Sequence, residues 1–470
     1  MATIFKKYSP LSLLLIIFSF AIPNIAHTEQ QEVPDEGPIL VRLPTASQLL
    51  PLYLNPVQSD NSRFSSTYLA QIEGVLSFDL NNNGATQGVE RTASRQKLAQ
   101  EPFTSTSLQK WKAESVFYII TPTVTQETLS TLIASTTNAT VKKIDGIPLT
   151  GNIDEDRRHI HQLADAIHKE LFGTEGVAST RVLYTVRDRH NSKDPLKWTA
   201  EVWQADYDGG NAHQITYENT LCVTPSYLPP KPGYGSGSFF YTSYKKTGQP
   251  KIYVASLRDG LGTRLSTLPG NQFMPVCSPQ RDLIAFISDA AGNPDLFIQE
   301  FGPEIGTIGK AKQLFSSTRA TQGSPTFSPD GNKIAFVSNK DGVPRIYTID
   351  VPKHGQKPNL SSIKLITRAN RENTSPAWSP DGTKLAYSAK ADGTRQIWVY
   401  EFASGRERQL TQGASHKENP TWASNSLHLM FNSSENNSSE LYLINLNQPH
   451  ATKITQGQGE KRFPNWEARQ

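Results

Sequence analysis

The run Asp79-Leu80-Asn81-Asn82-Asn83-Gly84, closing on Glu90, fits the calcium-loop pattern of an EF-hand letter for letter. Oxygen donors at alternate positions and a glycine at the sixth are what a hard divalent cation needs. Only two of these donors carry charge, and no amphipathic helix clearly follows Glu90. The favoured reading is a helix C-terminus in which Asn83 and Gly84 supply a left-handed turn. His159, His161 and His168 lie on one helical stretch. His161 and His168 face one way but stand two turns apart, too far to grip one ion, so a solvated polar face is expected. Two cysteines, Cys222 and Cys277, are too few for a thiolate metal site. Pairing is open to them in an oxidising compartment, but their places in the repeat described below differ, and free thiols are favoured. The chain holds no Gly-x-Ser-x-Gly elbow, His-Glu-x-x-His pair or Walker loop. No catalytic residue, metal or cofactor is expected.

The elements around these residues sort into four segments. Lys6 and Lys7 precede an apolar run from Leu11 to Ala21, which reads as a signal peptide over 1–27. Ala26 and Ala21 are both open as the cleavage point. Residues 28–44 form an arm whose first part, Thr28 to Pro38, carries Glu29, Glu32, Asp35 and Glu36 and no basic residue; it reads as disordered. Residues 45–176 read as an α/β domain. Leu69, Ile72, Val75, Leu76 and Leu80 have helical spacing, Phe117-Tyr118-Ile119-Ile120 reads as a strand, and Ile160, Leu163, Ala164, Ile167 and Leu171 stripe a second helix. Asp154, Glu155 and Asp156 in its first turn and Gly173 beyond its end suit its dipole and cap. With 47 basic against 43 acidic residues, the charge is too balanced for a nucleic-acid stripe.

From about residue 220 one phrase recurs: a proline, an aromatic two residues on, a turn, then an apolar strand. Ser324-Pro325-Thr326-Phe327-Ser328-Pro329-Asp330-Gly331 and Ser375-Pro376-Ala377-Trp378-Ser379-Pro380-Asp381-Gly382 are its clearest copies. Pro225, Pro275, Pro420 and Pro464 start weaker ones, and the spacings of 50, 50, 51, 44 and 44 residues are propeller-blade lengths. Each copy predicts an innermost strand, a Pro-Asp-Gly turn, and three further strands. The last copy, Arg462-Phe463-Pro464-Asn465-Trp466, has no strands after it, while Arg181–Val186, Val202–Ala205 and His213–Thr216 lack an inner strand before them. The C-terminal strand therefore completes the first blade and closes a six-bladed β-propeller over 177–470. In this frame Cys277 fills the slot of Tyr227, Phe327, Trp378, Trp422 and Trp466 as a core thiol, and Cys222 falls in the loop before an inner strand.

The blade phrases, the junction Ile167 to Thr185, Asp206-Tyr207-Asp208-Gly209 and the closing Phe463-Pro464-Asn465-Trp466 resemble the TolB family, periplasmic components of the Tol–Pal system of Gram-negative bacteria. Trp111, the strand at Phe117 and the helix ending at Phe172 match more loosely. The insert Pro229 to Gly237 and the acidic arm depart from the family pattern. The resemblance implies a periplasmic, non-catalytic, monomeric binding protein. It would bind the lipoprotein Pal through the propeller and signal to TolA through its N-terminal segment, supporting outer-membrane integrity and division. A propeller sensing a small solute or glycan is the alternative.

Two contact sites are expected. Ile39, Leu40, Val41, Arg42 and Leu43 alternate as a strand that could add to a partner's sheet edge, or could be the first strand of the α/β domain. For Pal, the loops leading into the inner strands converge at the mouth of the central tunnel. They supply Glu218 to Thr220, Asn271, Gln272, Thr321, Gln322, Glu372, Asn373, Thr374, His416, Lys417, Glu418, Asn419, Glu460, Lys461 and Arg462. His416, Glu372, Thr374 and Lys417 are favoured for their reach. The hairpins near Asp341 and Asp392 are placed at the opposite end.

Overall fold

The computed structural model describes residues 48–470, except 191, 231–236, 246–247, 303–305, 449 and 470. The signal peptide, the arm with Ile39, Leu40, Val41, Arg42 and Leu43, and most of the insert after Pro229 lie outside the described residues.

The first domain runs β1 (Leu50–Leu54), β2 (Gln58–Asp60), α1 (Ser66–Asn81), β3 (Thr86–Gly88), α2 (Ala93–Leu98), α3 (Ser105–Ala113), β4 (Tyr118–Thr125), β5 (Thr128–Ser135), β6 (Thr140–Pro148) and α4 (Ile153–Phe172). Its sheet has the order β3-β1-β4-β5-β6, with β2 continuing alongside β4. Strand β1 is parallel to both neighbours, pairing Leu52 with Tyr118, whereas β4, β5 and β6 form an antiparallel meander. The expected apolar stripes do pack inward: Ile72, Leu76 and Leu80 of α1 and Ile160, Leu163 and Ile167 of α4 are fully buried on one another and the sheet. Asn152 caps α4 by accepting from the Asp154 N–H, and Gly173 ends it in the left-handed region at φ 70°.

Six four-stranded sheets follow, and the ring closes as the repeat requires. Blade 1 has the order Glu460–Trp466, Arg181–Asp188, Thr199–Asp206, His213–Gln214, with Arg462 opposite Thr185 and Trp466 opposite Val182. Blades 2 to 6 begin at Cys222, Gln272, Gln322, Asn373 and His416. The repeated Ile/Leu-Thr phrase acquires a reason here. The apolar residue gives its N–H to the third strand, and the threonine hydroxyl accepts the N–H that the short fourth strand would leave open. Thr216, Thr367, Thr411 and Thr455 do so for Val202, Ile346, Ile397 and Leu441, at 2.8–3.1 Å.

Each inner strand carries one bulge, two residues opposing one, and the repeated proline sits in it. Proline is tolerated there because the bulged residue owes the ladder no N–H. The residue before it is left-handed in every blade: Thr224, Met274, Ser324, Ser375, Asn419 and Phe463, with φ from 45° to 55°. None is glycine, so each costs roughly 1–3 kcal/mol that the closed ring must over-determine.

The cysteines are both free. Cys222 is the first residue of its inner strand rather than part of the loop before it, three residues ahead of its proline. Cys277 fills the aromatic slot but is half-buried, and burial pushes its thiol up to about 12.

Candidate partner-docking face of the propeller

An inner strand runs from one face of the ring to the other, the second strand returns, and their successors repeat this. The loops leading into inner strands and the hairpins between second and third strands must therefore share a face. Thr321 donates its N–H to Asn339 Oδ1 at 2.7 Å, Asn271 to Asp289 Oδ1 at 2.6 Å, and Lys390 to the Glu372 carbonyl at 3.0 Å. The hairpins at Asp341 and Asp392 thus stand beside the tunnel mouth, not at its opposite end; antiparallel connectivity decides this.

The opposite face carries the α/β domain, seated on blades 1 and 6. Its core is continuous with blades 1 and 6, joining Leu80, Ile160 and Ile167 to Tyr207, Met430, Leu443 and Trp466. Here the residues with apparent metal chemistry find their use. Asp79 is buried, accepting from Tyr207 Oη at 2.8 Å while lying 2.8 Å from His161 Nδ1. Asp206 and Asp208 approach the far side of that imidazole at 3.9 and 3.8 Å, and Arg157 pairs with both. Burial opposes charge at both partners and raises the Asp79 carboxyl. At His161 the three carboxylates outweigh burial and lift the imidazole to about 9. Donor atoms of Asp79, His161 and Asp208 lie within 4.8 Å of one another, a set a cation could use. Arg157 and protonated His161 already supply positive charge to it.

The favoured reading of the segment after Asp79 holds: it is a helix end, Glu90 is exposed, and the calcium-loop letters do not form a calcium loop. Gly84 alone takes the left-handed turn, at φ 78°, while Asn83 accepts the N–H groups of Ala85 and Thr86. The expectation that the histidines form a solvated face is corrected. His161 and His168 are buried and only His159 reaches solvent, because helix α4 packs between α1 and the propeller. His428 of blade 6 seals the same joint. Its Nε2 is 2.7 Å from the Asn82 carbonyl, and burial drives its pKa down to about 4.

At the mouth, the residues expected to meet a partner divide into two sets. Gln272, Gln322, Asn373, Lys417 and Lys461 occupy one register, three before each proline, and are buried. Each turns back to a carbonyl of its own approach loop. Gln272 donates to Leu268 at 2.7 Å, Gln322 to Ala320 at 3.4 Å, Asn373 to Asn370 at 2.8 Å, Lys417 to Ser415 at 3.0 Å and Lys461 to Gly457 at 2.6 Å. They clasp the loops and do not present their side chains. Thr374 is buried as well, whereas His416 is exposed and Asn271, Thr321, Glu372, Glu418, Asn419 and Arg462 are half-buried.

The presented set is organised by a residue that the sequence reading passed over. Arg395, at the start of the third strand of blade 5, lies 3.2 Å from Glu418 and 3.7 Å from Glu372, and donates to Thr374 Oγ1 at 3.4 Å. Its backbone N–H donates to His416 Nδ1 at 3.1 Å. Four expected site residues from blades 5 and 6 thus converge on Arg395, three on its guanidinium and His416 on its backbone N–H. Only the hairpin geometry brings it there; a lone arginine beside Thr394 carries no signal in the letters. The tunnel between the prolines encloses only about 140 Å³.

A ring of six blades closed by its own last strand, with an α/β domain on one face and a charge-paired opposite face, defines a two-domain β-propeller protein. A family described as PD40, TolB beta propeller domain, matches residues 168–470. A protein TolB homolog of Protochlamydia amoebophila is 52% identical over 425 residues, 89% of this chain and 88% of its own. One of Chlamydia abortus is 41% identical over 278 residues, 58% of this chain and 62% of its own. The crystal structure of TolB from Acinetobacter baumannii covers 92% of this chain and 100% of its own with TM-score 0.71 at 19% identity, a likeness of fold. The chain belongs to the TolB family.

Proposed function

We propose that this chain is a periplasmic, non-catalytic binding protein of a Tol–Pal system, taking a Pal-type lipoprotein on the mouth face of the propeller. One observation carries the reading. The face left free by the α/β domain is the one where Glu372, Thr374, His416 and Glu418 are held together by Arg395. Preorganised polar side chains of both signs suit recognition of a protein surface more than turnover. The constriction between the prolines, of about 140 Å³, is small for a solute site. The leader-like residues 1–27 and the family support a periplasmic location. Residues Ile39, Leu40, Val41, Arg42 and Leu43 are proposed to reach a TolA-type inner-membrane partner. The protein works as a monomer between the two, in support of outer-membrane integrity and cell division.

Crosslinking in intact envelopes tests this directly. A Pal-type lipoprotein should be captured by the full chain and lost from a Glu372→Ala/His416→Ala variant that melts normally. Deleting residues 28–43 should abolish capture of the TolA-type partner and spare the lipoprotein. Absence of any such lipoprotein among the crosslinked products overturns the proposal.

A further inference from the structure

We propose that a recess at the rim of blade 1, between the 189–198 hairpin and the strand Glu460–Trp466, is an anion site that receives a carboxylate of a docked protein partner. This rests on the reading that the mouth face receives a protein, and it goes beyond it by assigning a place and a chemistry. The hairpin spans ten residues, against seven (244–250) and two (436–437) in blades 2 and 6 on either side. Beneath it lies a recess of about 640 Å³ lined by Arg187, Arg189, Lys193, Trp198 and Glu460, among others.

The charges do not balance. Arg187, Arg189 and Arg462 all pair with one carboxylate, that of buried Glu460. Three guanidinium groups on one acid leave an excess of two positive charges; Lys193 at the rim adds one and the carboxylate of Asp188 offsets it, so the excess stays at two. Asp188 accepts the His190 N–H at 2.7 Å and lies 3.4 Å from that ring. Burial, then the neighbouring Arg462, pushes the Arg187 guanidinium below its usual range, and its Nε is buried without a hydrogen-bond partner.

The cluster is also held still. The Trp198 ring lies 4.9 Å from the Arg187 guanidinium and 4.5 Å from that of Arg189, and its indole N–H is tied to the Ser192 carbonyl at 2.8 Å. Stacked arginines keep their forks fixed at low entropic cost, which favours planar, bidentate acceptors. Gly459, at φ 80°, keeps the floor low, since a Cβ there would meet Val186 at 2.6 Å. Glu460 at the centre repels a dianion more than a single carboxylate. Leu196, 70% exposed on the same hairpin, offers an apolar contact to the segment bearing that carboxylate. These points favour an acidic side chain of a protein over a phosphate ester.

The test uses the full described chain, residues 48–470, and the peptide acetyl-Ala-Glu-Ala-amide, which carries one carboxylate, at constant ionic strength, read by the Trp198 indole N–H resonance. The expected result is a saturable shift, weakened at least tenfold in Arg187→Gln/Arg189→Gln and several-fold in the double Lys variant, which keeps charge but loses the fork. Lys193→Gln, far from the ring closure, should weaken it two- to threefold and serves if the arginine variants melt early. No saturable shift, or an equal shift in the Gln and wild-type proteins, overturns the site. Tighter binding of inorganic phosphate than of peptide overturns the carboxylate assignment. Lipoprotein capture is scored separately. If wild type captures none, the docking reading fails while the peptide titration stands; if capture is normal and the peptide does not bind, the recess alone fails.

Discussion

The indole N–H of Trp466 donates to the hydroxyl of Thr180 across 2.7 Å, tying the last strand of the chain to the segment that leads into the first blade. The two residues are 286 positions apart, and the bond is buried. Around it, Arg469 reaches the Gly176 carbonyl and Glu467 accepts the Arg181 N–H at 3.1 Å. The closing strand is therefore stitched to its blade and to the domain junction together.

Ending the chain at Glu460 should cripple the whole propeller, because blade 1 loses its inner strand and its ladder groups stay unpaired. Trp466→Ala alone should cost about 3–5 kcal/mol as a core deletion. Thermal unfolding checks both, and a truncated chain melting within a degree or two of the intact one contradicts the closure.

Trp422 and Trp378 share a place in the repeat and should respond unequally. Trp422 is buried and donates to the Ala377 carbonyl at 3.0 Å, so Trp422→Ala should cost about 3–5 kcal/mol. Trp378 is half-buried, stacked on Phe402 with ring centroids 4.8 Å apart, and its loss should cost about half as much. Urea unfolding midpoints measure the difference.

His416 and Lys417 are adjacent and should part company. Lys417 is 0% exposed, with its ammonium on Ser415, so Lys417→Ala should destabilise the fold by about 1–3 kcal/mol. His416→Ala should leave the melting temperature within about 2 °C and act on lipoprotein capture. Lys353→Glu, on the face that carries the α/β domain, is the control expected to change neither. Capture lost with Lys353→Glu and kept with His416→Ala would place the site on the wrong face.

Stability should fall on both sides of neutral pH for opposite reasons. His428, held near 4, is neutral in the folded state and takes up a proton on unfolding below about 6.5. Its contribution is full above that value and declines as pH falls toward 4, by about 3 kcal/mol in all. His161, raised to about 9, contributes fully below about 6.5 and loses its contribution as pH rises through 9. Unfolding of His428→Gln, which can still donate to Asn82, should lose the acid-side slope only. An unchanged acid-side slope would mean that another group governs it.

What the letters determined was whatever repeats. Pro-x-aromatic phrases recur because proline fits a bulged inner strand, and the unpaired first and last pieces by themselves require ring closure. The core stripes of α1 and α4 and the Gly173 cap were legible for the same reason: they are local periods and caps. Tertiary structure decided everything that depends on which side a residue turns to. Lys417 reads as a surface cation until the register three before the proline carries it inward to a loop carbonyl. His161 and His168 read as a wet helix face until the propeller covers them, and Asp79 reads as part of a helix end whose buried partners, Tyr207 and His161, arrive only from far along the chain. Arg395 and the recess at Arg187 had no motif at all, because charge convergence across blades is set by strand direction and hairpin length, which single-chain spacing does not encode.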